Sequence, residues 1–149
     1  MNPKSKSSST VGAIGESFVA QWHVAQGSQV LAQRWTCRGG ELDLVVKTKD
    51  SILAIVEVKT RSRGNWDRNG LLAITPAKQK KLLIAAQAFL TAHPEFEALP
   101  CRFDVALVRY QPIQERRSQP ITVASPPHLT KLVSDCDLTL QDYIFDAFC

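Results

Sequence analysis

No apolar run in this 149-residue chain approaches the roughly 20 residues that a membrane-crossing helix needs. The first ten residues carry lysine and serine with no apolar stretch behind them, so they fail as a secretory leader. They read instead as a flexible basic tail, residues 1–10, ahead of one domain over 11–149. The cytoplasm is the expected compartment, and no membrane partner is expected. Cysteine is sparse and scattered: Cys37, Cys101, Cys136 and Cys149 include no close pair on a turn. That argues against a structural zinc site and against a disulfide scaffold, and leaves four reduced thiols as the expectation. His23, His93 and His128 show no ligand spacing either and are expected to be structural or superficial. A phosphate-loop signature is missing, which argues against an NTPase. A nucleophile elbow with a histidine partner is missing too, which removes Ser/His/Asp catalysis.

What is present is the composition of a soluble globular domain, 44% hydrophobic and 21% charged, with a net charge of +4. The charge is modest, so its placement matters more than its size. Basic residues gather in Lys59, Arg61, Arg63 and Arg68, and again in Lys78, Lys80 and Lys81. A solvated charged loop is the plain reading of such a cluster. Beside acidic residues it gains a second reading, because phosphate contacts dominate nucleic-acid affinity.

Periodicity divides the chain into elements. Val11, Ile14, Phe18, Trp22 and Ala25 recur at helical spacing, with Gly27 as a stop. Strands are predicted at Val30–Trp35, Glu41–Lys47 and Ile52–Thr60, the last two joined by the polar turn Thr48-Lys49-Asp50-Ser51. Alternation puts Leu42, Leu44 and Val46 on one face and Glu41, Asp43 and Val45 on the other. A loop is expected from Arg61 to Leu72. Thr75-Pro76 then opens a helix with a capping threonine and a proline at its first position. Its apolar stripe runs through Leu82, Ala85 and Phe89. Lys78 falls on that stripe and must snorkel outward or meet an acid. A strand follows at Cys101–Arg109, where Arg102 and Asp104 read as a local pair. The proline-bearing segment from Gln111 to Pro127 is irregular, and the last fifteen residues are apolar enough to dock on the body. The order α-β-β-β-α-β predicts an α/β fold: one mixed sheet flanked by helices, with three antiparallel strands and a fourth returning parallel to the third.

The stretch Ile52-Leu53-Ala54-Ile55-Val56 closes on Glu57-Val58-Lys59, which would bring two charges to the end of a buried strand. Side chains two apart on a strand share a face, so Glu57 and Lys59 emerge together. A hairpin between the second and third strands lets Asp43 converge on Glu57. Two carboxylates and an ammonium at a strand end suit a hard divalent cation and phosphodiester chemistry. Read without that context, Asp43 is a surface partner of Arg38 or Lys59, and Glu57 and Lys59 are the charged end of an edge strand. Glu41 is a strand-start acid or a group that holds Lys59.

Asp43 followed by Glu57-Val58-Lys59 resembles the restriction-endonuclease-like, PD-(D/E)xK, superfamily. Gly15-Glu16, Gly40-Glu41-Leu42-Asp43-Leu44, Val56-Glu57-Val58-Lys59-Thr60-Arg61, Lys78, Arg102-Phe103-Asp104-Val105 and Asp146-Ala147-Phe148 follow the order of the YraN family. Those small bacterial proteins are similar to archaeal Holliday junction resolvases. The resemblance implies a Mg²⁺-dependent endonuclease acting on DNA, branched DNA included, with Mn²⁺ as a substitute. It implies Asp43, Glu57 and the Val58 carbonyl as metal ligands, Lys59 as the group that orients water, and Glu16 as a supporting acid. Lys78 matches a basic position facing the site in resolvases, and Arg61, Arg63, Arg68, Lys78, Lys80 and Lys81 would hold the nucleic acid. A two-fold symmetric junction implies a homodimer. Leu42 stands where the superfamily shorthand has proline, and the turn Cys37-Arg38-Gly39-Gly40 is shorter and less polar than the family's. Two other readings use the same residues. One is a nucleic-acid-binding module with idle carboxylates, and the other an adaptor that docks through the proline-bearing segment.

Overall fold

The computed structural model describes residues 3–61, 74–112, 130–133 and 136–148. Helix α1 (Pro3–Ala25) leads into strands β1 (Gln29–Cys37), β2 (Gly40–Lys47) and β3 (Leu53–Arg61). Helix α2 (Pro76–Ala92) follows, then a 3-10 turn at Pro94–Phe96, β4 (Cys101–Pro112), β5 (Thr130–Val133) and β6 (Cys136–Phe148). The sheet order is β1-β2-β3-β4-β6-β5. β1, β2 and β3 are antiparallel neighbours, and β4 returns parallel to β3, as the element order predicts. The parallel step requires a crossover, and α2 supplies it. Among the described residues no helix is long and apolar enough to cross a membrane.

The helices cover opposite faces. Phe18, Val19 and Ala20 of α1 pack on Leu44, Val46, Val56 and Val58, and Leu82, Ala85 and Phe89 of α2 on Val45, Leu53, Ile55 and Val105. With both faces covered, β3 reads as a continuous apolar run rather than an alternating one. Thr75 caps α2, its Oγ1 accepting from the Lys78 N–H at 3.2 Å. α1 ends where Gly27 adopts φ 87°, with Ser28 N–H donating to His23 O and Gly27 N–H to Val24 O. That pairing satisfies two of the carbonyls a helix end leaves open.

Helix α1 takes in residues 3–10, which the sequence reads as a basic tail, and proline is tolerated in its first turn. Two expectations need correction. The C-terminal segment does more than dock: as β6 it pairs antiparallel with β4, and β5 folds back on it. Leu42 does not share a face with Leu44 and Val46. It packs on the α2 side, whereas they pack on the α1 side. Of the segment from Gln111 to Pro127 expected to be irregular, Gln111 and Pro112 extend β4, and the rest lies outside the described residues.

Gly15 sets how close α1 comes to β3. A Cβ there would run into Thr60 Oγ1. Gly15→Ala is expected to cost about 1–3 kcal/mol through this overlap, lowering Tm by roughly 3–10 °C. Thr60→Ala in the same chain should recover part of the loss, because Thr60 Oγ1 is buried with no hydrogen-bond partner among the described residues. Thermal melts of the single and double variants test this, and a Gly15→Ala melt equal to wild type would contradict it.

Candidate active site

The change of face at Leu42 builds the site. Cross-strand partners share a face, and Gln33 opposes Leu44 while Trp35 opposes Leu42. Leu44 belongs to the α1-side core, whereas Trp35 and Leu42 pack on the α2 side. The β1–β2 ribbon therefore turns over between these pairs, at Arg34 and Asp43. Arg34 has φ 50° there, in the left-handed region that non-glycine residues seldom occupy. The β2–β3 ladder runs from Lys47↔Leu53 to Leu44↔Val56 and stops one residue short of Asp43 and Glu57. In place of a ladder bond, Asp43 Oδ2 accepts from the Val58 N–H at 3.0 Å. Asp43 thus sits in the gap where two strands part, rather than in a surface pair with Arg38 or Lys59.

Glu57 projects on the α2 side and is 4% exposed. Its Oε1 lies 3.2 Å from Lys59 Nζ and 3.5 Å from Lys78 Nζ. The contact with Lys59 follows from strand alternation. Of the two outcomes open to an inward lysine on α2, snorkelling outward or meeting an acid, Lys78 takes the second while staying 39% exposed, which puts it in the carboxylate cluster. Glu57 Oε2 is buried with no hydrogen-bond partner among the described residues. Burial first, and then the charge of Glu57, push the Asp43 carboxyl up to about 7; the Val58 N–H opposes the rise and Glu16 adds to it. Once protonated, Asp43 can donate to Glu57.

Glu16 comes from α1 and is held by Arg34, whose Nε donates to Oε2 at 2.8 Å. Burial raises the Glu16 pKa; Arg34 works against that, and the charges of Glu41 and Glu57 add to it. Among the described residues no three His, Cys, Asp or Glu side chains converge closely enough to hold a metal ion. Asp43 and Glu57 therefore form a two-carboxylate site. Glu41 is exposed at the start of β2, and Arg61, Lys80 and Lys81 are exposed as well. Arg63 and Arg68 lie outside the described residues. Arg34 was missed from the sequence, because an arginine after Gln33 in an edge strand looks like any solvated position.

Asp104 and Arg102 belong to a different structure. Asp104 is fully buried and accepts both carboxylate bonds from Arg102 Nε at 3.0 Å, the Tyr143 hydroxyl at 2.7 Å and the Asp146 N–H at 2.9 Å. His23 Nε2 lies 3.0 Å from the Tyr143 hydroxyl. The expectation of a local Arg102–Asp104 pair and a structural His23 holds. Burial lowers the His23 pKa to about 4, against the charge of Asp104.

The folded protein holds the Asp43 proton more tightly than the unfolded chain does. Its contribution to stability is therefore full below the ordinary carboxylate value near 4 and is lost as pH rises through about 7. His23, with a lowered pKa, contributes the opposite slope between about 4 and its ordinary value near 6.5. The difference between Asp43→Asn and wild type isolates the first effect. In EDTA, Tm of the variant relative to wild type should climb by several degrees between pH 5 and pH 8. A difference that does not change with pH would refute the assignment.

A family model described as "Uncharacterised protein family UPF0102" matches residues 15–108, a stretch that contains Glu16, Arg34, Asp43, Glu57, Lys59 and Lys78. A UPF0102 protein of Thermosynechococcus vestitus is 54% identical over 101 residues, covering 68% of this chain and 82% of the relative. One of Trichodesmium erythraeum is 43% identical over 157 residues, covering 92% and 87%. Another, of Trichormus variabilis, is 40% identical over 142 residues and covers 93% of each chain.

Proposed function

We propose that this chain, which belongs to the UPF0102 family, is a Mg²⁺-dependent endonuclease acting on DNA. The observation that carries the reading is the pair Asp43 and Glu57, one carboxylate half-buried and the other buried with an orphaned oxygen and a flanking lysine. Two like charges held close together and away from bulk solvent repel each other, and a divalent cation would relieve that repulsion in place of the proton that Asp43 otherwise takes. Asp43 and Glu57 would hold Mg²⁺, with the Val58 carbonyl as a third oxygen, since this sparse all-oxygen set suits an ion that keeps several waters. When bound, the ion supplies positive charge against the phosphate oxygens in the transition state. Lys59, restrained by Glu57, would orient the attacking water and offset charge on the phosphorane. Lys78 would meet the same phosphate from the first turn of α2. The resemblance to the PD-(D/E)xK superfamily and to junction resolvases favours branched DNA and a homodimer.

The test is incubation of the purified protein with labelled Holliday junction, flap, single-stranded and linear duplex DNA, in Mg²⁺, Mn²⁺ or EDTA. Cleavage that requires the metal supports the reading, and the preferred substrate names the class. One observation favours a second reading, a binding module without catalysis. With Asp43 protonated, Glu57 paired to Lys59 and Lys78 forms a cluster that is satisfied without a cation. That reading predicts salt-sensitive DNA binding that ignores Mg²⁺ and Glu57→Gln, with no cleavage under any condition.

A further inference from the structure

Around the strand gap stand three carboxylates (Glu16, Asp43, Glu57) and three cations (Arg34, Lys59, Lys78), with the exposed Glu41 near enough for its charge to act on Glu16. The lysines both serve Glu57, and the guanidinium serves Glu16. Glu16 is close enough for its charge to act on Asp43 and for that of Glu57 to act on it, yet the three acids do not converge on one point. Its side chain is 12% exposed and that of Arg34 49%, so the acid is enclosed while the base reaches in from the surface. Arg34 takes its left-handed conformation where the β1–β2 ribbon turns over. The conformation is uncommon for a side chain of this kind, and here it accompanies the contact with Glu16 of α1.

We propose that Arg34 is a positioning residue that holds Glu16 away from the Asp43–Glu57 pair, so that a divalent cation meets two carboxylates there and not three. The inference rests on the metal-binding reading above and goes beyond it, because it assigns the strength of the metal site to a residue that touches neither metal nor substrate. Without the guanidinium, the Glu16 carboxylate loses its partner on the β1 side and is drawn to the cation. The site then gains a full negative charge and a further oxygen ligand.

Isothermal titration of Mn²⁺ into the full-length protein tests this without any activity readout. Arg34→Asn removes the guanidinium with a residue that tolerates left-handed backbone, and Arg34→Gln is the second variant should Asn fail to fold. The Mn²⁺ dissociation constant is expected to fall about tenfold in the variant, and less than twofold when the same change is made in a Glu16→Gln chain. Arg34→Lys should stay near the wild-type value, since an ammonium can still hold Glu16. If wild type binds Mn²⁺ but Arg34→Asn binds it equally, the inference fails and the metal-site reading stands. If the tightening persists without Glu16, Arg34 acts by its own charge and the inference fails again. If wild type and all variants bind no Mn²⁺, the metal-site reading itself falls and takes the inference with it.

Discussion

Glu57→Gln is expected to reduce Mg²⁺-dependent DNA cleavage by a factor of about 10³ or more, equivalent to ~4 kcal/mol of transition-state stabilisation. The substitution keeps the shape of the side chain and removes its charge, so it deletes one of the two carboxylates proposed to hold the ion. It also frees Lys59 from the partner that orients it at 3.2 Å. The fold should survive. Lys59 and Lys78 retain 21% and 39% side-chain exposure and can turn toward water. Removing the Glu57 charge also relieves Asp43, whose pKa is raised by burial first and by the Glu57 charge second. The melting temperature in EDTA should therefore hold or rise while cleavage disappears. Single-turnover rates on the preferred DNA substrate, paired with melts of the same preparations, separate the two effects. Cleavage within tenfold of wild type would mean that the carboxylate pair is not the catalytic centre.

Asp104→Ala is expected to be strongly destabilising, costing about 3–5 kcal/mol, because one buried acceptor is taken from three donors and each bond left unmade costs about 1–3 kcal/mol. For a domain of this size that corresponds to a fall in Tm on the order of 10 °C. Asp104 is fully buried and receives bonds from Arg102, Tyr143 and the backbone of Asp146. The β4–β6 register shifts beside it, between Phe103 and Val105, and Asp146 takes φ 50° in the same irregular stretch. Asp104 thus replaces ladder bonds that the bulge gives up, and Arg102 lies 5.1 Å from the centre of the Phe145 ring across the same joint. Tyr143→Phe, which removes one donor and leaves the charge pair intact, should cost only about 1–2 kcal/mol. Calorimetry or circular dichroism melts resolve this order. An Asp104→Ala melt within 3 °C of wild type, by the same scale, would show that the bulge is held by other contacts.

Much of the candidate site was legible because it depends on short periods. Glu57 and Lys59 share a face by the two-residue repeat of a strand. Lys78 was marked by helical spacing as an inward lysine in need of an acid, and Thr75-Pro76 announced the start of its helix. Asp43 was legible as a partner for Glu57, but its means of getting there was not. Strict alternation put Leu42, Leu44 and Val46 together, and the ribbon instead turns over at Arg34 and Asp43. Arg34 and the Asp104–Tyr143–His23 network left no readable signal, since each is made by residues far apart in the chain.

The sequence by itself determined the order of elements from α1 to β4, the covered faces of α2 and β3, and the charged strand end, because local backbone geometry dictates which side each residue faces. The tertiary structure decided which acid meets which base. That choice depends on the sheet order β1-β2-β3-β4-β6-β5, on the gap between β2 and β3, and on one left-handed residue in β1. These are consequences of packing two helices against a twisted sheet, a balance struck over the whole chain, and no window of neighbouring residues contains it.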